Sequence, residues 1–183
     1  MTLVYMITVG NKDKGILQKL LPKNLTQEIQ FIAGESSYGA RSLASSLLAT
    51  RNTPVALVLN ADTDNESQIW ERHDLINYAL NQASPGIPYQ IFFAVPEIEI
   101  IFLQDKSLIE KIAQRQFNDL EWQLAQSKPR EFLEILFGKG EQINTILFDN
   151  MTDEEITILQ QHPLIQAIMD FIASLIPSSV VIN

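Results

Sequence analysis

The sequence predicts an α/β protein in which a mostly parallel sheet of about four strands is flanked by helices and continued by a helical extension. Two observations predict it. Four short apolar runs, rich in β-branched and aromatic residues, alternate with segments of helical period across residues 1–97, the pattern that right-handed crossovers between parallel strands require. Beyond Pro96 no further strong strand pattern follows, and residues 98–183 read as helices.

The first strand is expected over residues 3–9, followed by a loop from Gly10, with Asp13 as the cap of a helix over 14–21 that Pro22 ends. Residues 29–33 give a second strand leading to Gly34. Ser36 or Ser37 can cap a helix in which Ala40, Leu43, Ala44, Leu47 and Leu48 recur at intervals of three and four residues. The run 54–59 is continuously apolar, as in strands buried on both faces, and breaks into polar residues at Asn60. A polar helix over 66–83 and a fourth strand over 89–95 complete the α/β half.

In the second half, 98–103, 108–112, 120–125 and 131–137 favour helix, and Gly138-Lys139-Gly140 marks a turn. Thr152 with Glu155 forms a capping-box pattern before a helix over 156–161, and Pro163 opens the last helix. The segment around Pro96 is apolar rather than linker-like. One domain, 1–183, is therefore expected, with the helical extension packed on the 1–97 core.

Composition excludes several chemistries. With no cysteine among 183 residues, disulfides, Cys-ligated zinc, iron–sulfur clusters and thiol nucleophiles are all ruled out, and a cytoplasmic location is expected. The N-terminus lacks a basic region and reads as a strand rather than a signal peptide. The apolar tract 164–176 is interrupted by Gln166 and Asp170 and falls short of the ~20 residues a membrane span needs. A net charge of -9 opposes unaided attraction to phosphate backbones, so nucleic acid is approachable only with a metal or a basic partner.

Ligands of open parallel sheets bind beyond the carboxyl ends of the strands. Those exits carry Gly10, Asn11 and Asp13; Gly34, Glu35, Ser36 and Ser37; Asn60, Asp62 and Asp64; and Glu97 with Glu99. Carboxylates gathered there suit Mg²⁺ or Mn²⁺, with Asp62, Asp64 and Glu99 as the candidate ligands. The plainer alternative is that Asp62 and Asp64 cap the following helix. Lys12 and Lys14 read as solvated, His162 as part of a turn, His73 as exposed, and Trp70 and Trp122 as core. Gly34 to Gly39 does not have the G-x-S-x-G spacing of a nucleophile elbow, and Gly10 to Gly15 is not a P-loop.

Taken in order, these segments resemble the Toprim-like domain of topoisomerases, primases and overcoming-lysogenization-defect nucleases, in particular its small stand-alone relatives. Thr8-Val9-Gly10-Asn11-Lys12-Asp13 is similar to the family's V-E-G-x-x-D, Asn60-Ala61-Asp62-Thr63-Asp64 to D-A-D-T-D, and Val95-Pro96-Glu97-Ile98-Glu99 to a strand followed by P-E-x-E. Pro129-Arg130 resembles a later P-K element, and His162-Pro163 the usual tail. The resemblance implies a Toprim-like sheet, a glutamate acting as acid or base, and D-x-D carboxylates holding Mg²⁺ for phosphodiester chemistry.

Two positions depart from that pattern. Val9 stands where the glutamate belongs and Asn60 where the first aspartate belongs. Losing a general acid/base group forfeits about 10²- to 10⁴-fold in rate. The expectation is a degenerate, catalytically impaired binding or regulatory module acting with a protein partner and requiring no cofactor. The alternatives are a Mg²⁺-dependent nuclease or phosphotransferase using Asp62, Asp64 and Glu99, and a small-molecule-binding domain of the same doubly wound class.

Overall fold

The computed structural model describes residues 2–176. Met1 and residues 177–183, which the sequence analysis assigned to the two ends of the domain, lie outside the described residues. Four strands form one all-parallel sheet: β1 (Val4–Thr8), β2 (Ile29–Ala33), β3 (Val55–Asn60) and β4 (Tyr89–Ala94), in the order β2-β1-β3-β4. The central pair, β1 and β3, is the most apolar. All six residues of β3 are buried, as its unbroken apolar run requires.

Alternation along the strands sends side chains to two layers. On one face Ile7, Leu57, Leu59 and Ile91 pack against α3 (Ser37–Arg51) and α4 (Glu66–Ala83), through Ala40, Ala44, Leu48, Ile76 and Leu80. On the other, Val4, Met6, Ala56, Val58 and Phe92 meet Ile16, Leu17 and Leu20 of α1 (Asn11–Leu20). That second cluster continues without a break into the helical half. It takes in Ile98, Ile101 and Phe102 of a 3-10 segment (Ile98–Gln104), and Leu133, Ile143, Leu147, Ile165 and Ile168 beyond it.

The helical half comprises α5 (Lys106–Ala113), α6 (Asp119–Ser127), α7 (Pro129–Phe137), α8 (Gln142–Asp149), α9 (Asp153–Gln160) and α10 (Pro163–Leu175); a short α2 (Lys23–Thr26) precedes β2. Its caps follow the sequence. Thr152 and Glu155 form a capping box, Pro163 sits in the first turn of α10, and His162 accepts from the Leu164 amide. α8 is not legible in the sequence. Its buried residues, Ile143 and Leu147, are too few to mark a helical stripe, and the helix docks on α1 through an Asn144 side-chain amide donating to the Lys12 carbonyl, 2.9 Å.

Several expectations are corrected. α1 begins at Asn11, so Asp13 lies buried in its first turn instead of capping it. Asn65, not Asp62 or Asp64, caps α4 by accepting from the Gln68 amide. Trp70 is exposed, whereas Trp122 stacks on Phe117 and meets Phe132 edge-on. His73 is half-buried on α4 rather than exposed. No helix of the described residues is long and apolar enough to cross a membrane.

Phe102 is fully buried and packs edge-on to Phe148 of α8 at 5.5 Å between ring centroids, joining the 3-10 segment to the helical layer. Phe102→Ala is expected to cost about 3–5 kcal/mol of stability, read as a lowered denaturant midpoint with the slope unchanged.

Candidate functional site

The carboxyl edge of the sheet gathers side chains from four separate segments. The exit of β1 enters α1 within three residues and brings Lys12 and Asp13; β3 ends at Asn60; the segment after β4 brings Glu97 and Glu99; and the start of α7 contributes Arg130. Asp13, Asn60 and Glu99 are buried, Glu99 to 1% exposure. Polar groups this deep must be paired or neutralised, and their partners define the site.

Asn60 is the hinge of the first network. Its Oδ1 accepts from the Ile98 backbone amide at 2.8 Å, and its Nδ2 donates to Asp13 Oδ2 at 3.0 Å. The amide orientation follows from chemistry, since an N–H donor on one side fixes the carbonyl oxygen there and leaves the NH₂ to face a carboxylate. Aspartate at this position could serve Ile98 but could not donate to Asp13. Two buried carboxylates would then face each other and need a proton or a cation between them.

The second network is ionic. Glu99 Oε1 meets Lys12 Nζ at 2.5 Å and accepts from Arg130 Nε at 3.0 Å. Arg130 also reaches Glu97, with its backbone amide donating to Oε2 at 3.0 Å and its Nη1 lying 3.4 Å from Oε1. Glu97 therefore satisfies an orphan amide in the first turn of α7, whose own N-cap, Lys128, supplies no side-chain bond. Glu99 Oε2 is buried with no hydrogen-bond partner among the described residues.

These surroundings displace two carboxyl groups in opposite directions. Burial raises Asp13 above the usual carboxylate range, the nearby Glu99 charge adds to the rise, and the Asn60 bond, Arg130 and Lys12 only partly offset it. Burial alone would raise Glu99 as well. There, however, Arg130 and Lys12 outweigh it and hold the group below its ordinary value.

Asp62 adopts a left-handed backbone, φ 56°, a conformation aspartate tolerates better than most residues. Its amide donates to the Pro96 carbonyl at 2.8 Å, extending the β3–β4 ladder, while Arg72 from α4 donates to the carbonyls of Ala61 and Asn60. An open cleft of about 520 Å³ beside it is lined by Asp62, Glu97, Lys128, Arg130, Glu131 and Glu134 among others. Asp64 is exposed and outside that lining. The exit of β2 does not join the networks: Ser36 caps α3 through the Gly39 amide, Glu35 is exposed, and a Cβ on Gly34 would fall 2.3 Å from the Ala40 nitrogen. Gly34 and Ser36 thus serve the turn into α3, and Gly10 caps α1 in an extended conformation with no side-chain bond.

These residues do not fit a Mg²⁺ or Mn²⁺ centre. Lys12 and Arg130 occupy Glu99, Arg130 occupies Glu97, and among the described residues no three His, Asp or Glu side chains converge as a ligand group. The candidate set Asp62, Asp64 and Glu99 is therefore not assembled. Val9 is partly buried and packs against the cluster that faces α3 and α4, and its side chain has no group that could move a proton. Lys12, expected to be solvated, is instead 16% exposed and paired with Glu99, and Arg130, noted only within the P-K-like element, joins it; a lysine at a helix start and an arginine after proline carry no local sign of burial. No family model, curated protein or solved structure matches this chain.

Asp13 holds its proton more tightly folded than unfolded, so its ionisation costs stability as pH rises from the unfolded value through the folded one. Glu99 acts with the opposite sign: its contribution is present above its unfolded pKa and is lost as pH falls through its depressed folded value. Asp13→Asn keeps an acceptor for Asn60 and removes the cost of ionising Asp13. The stability of this variant relative to wild type is expected to improve as pH rises from ~4 through the raised folded value of Asp13 and then to level off, read from denaturant midpoints across the range.

Proposed function

We propose that the chain is a degenerate Toprim-like protein, catalytically impaired, that works as a binding or regulatory module with a protein partner. The observation that carries this reading is the neutralised edge, where Lys12 and Arg130 engage the buried Glu99 while Asn60 ties down Asp13. A hydrolytic centre of the implied kind needs carboxylates free to hold a metal and a group free to move a proton. Here Glu97 and Glu99 anchor α7, and Val9 lies in an apolar cluster. The four-stranded parallel sheet and the order of the motif-like segments support the family part of the reading.

Surface features support the partner. α3 and α4 expose Tyr38, Leu75 and Tyr78, each more than two thirds accessible at 74%, 72% and 71%, and Tyr38 and Leu75 border one groove. A net charge of -9 favours a basic partner surface over bare nucleic acid. The alternative of a Mg²⁺-dependent nuclease built on Asp62, Asp64 and Glu99 has less support, because Glu99 is already held by two cations.

Purified protein incubated with DNA, RNA and a chromogenic phosphodiester in Mg²⁺ or Mn²⁺ is expected to give no turnover above background, with Asp62→Ala indistinguishable from wild type. Metal-dependent cleavage that disappears in Asp62→Ala would overturn the proposal.

A further inference from the structure

The most unusual group at the edge is Lys12. Its ammonium, only 16% exposed, sits 2.5 Å from a carboxylate that is itself 1% exposed, in the field of a second buried acid, Asp13. A carboxylate isolated this deeply is strongly disfavoured unless a cation accompanies it. Arg130 supplies one such charge, but from the rim, with its guanidinium also spread over Glu97. Lys12 is the compact charge placed inside.

We infer that Lys12 is the resident counter-ion of this edge, and that its ammonium takes the place a divalent cation would otherwise fill between Asp13 and Glu99. Two independent features point to a cation position there. Glu99 Oε2 is buried and unpartnered, so the carboxylate retains acceptor capacity that the protein does not use. Asp13 and Glu99 also come from different strand exits, and they are drawn together because Lys12, next to Asp13, bonds Glu99 while Asn60 bonds both Asp13 and the amide of Ile98, next to Glu99. An ammonium satisfies such a place with one charge and up to three donors, and because it is covalently attached it cannot be chelated or exchanged. The edge is thereby neutralised from within and indifferent to Mg²⁺.

The inference rests on the proposed loss of metal chemistry, but the two fail separately. Lys12→Met keeps the aliphatic stem and removes the charge. Removing Lys12 should uncover a Mn²⁺ site, at least about ten-fold tighter than any in the wild type, with a metal-dependent rise in Tm that the wild type lacks. Lys12→Met/Glu99→Gln should lose both. A folded Lys12→Met with no metal response overturns the inference and leaves the functional proposal standing, whereas phosphodiester cleavage by the wild type overturns the proposal itself.

Because Lys12→Met could fail to fold, the wild type provides a second readout. The Lys12 side-chain ammonium resonance should persist unbroadened in millimolar Mn²⁺. Paramagnetic loss of that signal, reversed by excess Mg²⁺, would place a metal at the edge beside Lys12 and refute the assignment.

Discussion

The sharing of Glu99 between Lys12 and Arg130 is the interaction on which the functional edge depends. Glu99 follows β4, Lys12 opens α1 and Arg130 opens α7, so one buried carboxylate joins the sheet, a flanking helix and the helical half. Its surroundings make the pairing obligatory. A carboxylate with 1% exposure is tolerable only when matched by positive charge, and the match fixes where α7 begins. Glu97, two residues earlier, completes the junction by accepting from the Arg130 amide.

Asn60 performs the complementary task without charge. At the end of a wholly buried strand, it offers a donor to Asp13 and an acceptor to Ile98, linking the exits of β1, β3 and β4. An amide at this position therefore does what a carboxylate could not. It lets the edge close on itself: where an acid would demand a cation, the amide satisfies its neighbours directly.

Much of the fold was legible because its signals are local. The unbroken apolar run before Asn60, the capping box at Thr152 and the proline at Pro163 each specify an element without reference to the rest of the chain. α8 was not legible, since its docking depends on Asn144 meeting α1 across a sequence separation of 132 residues. The location of the edge was legible from the strand exits, and Asp13, Asn60, Glu97 and Glu99 do converge there. The ion pairs that decide its chemistry were not. Lys12 and Arg130 acquire their meaning only from burial of a glutamate distant in sequence, and Asp62 and Asp64 looked like ligands because an acidic pair at a strand exit has the same spacing in a metal motif and in a solvated turn.

Anomalous diffraction from crystals grown in millimolar Mn²⁺ tests the central claim most directly. An internally neutralised edge predicts no anomalous density among Asp13, Asn60 and Glu99, with Lys12 Nζ and Arg130 Nε both bonded to the Glu99 carboxylate. A manganese peak bound by Glu99 or Asp13, with Lys12 swung away, would contradict it.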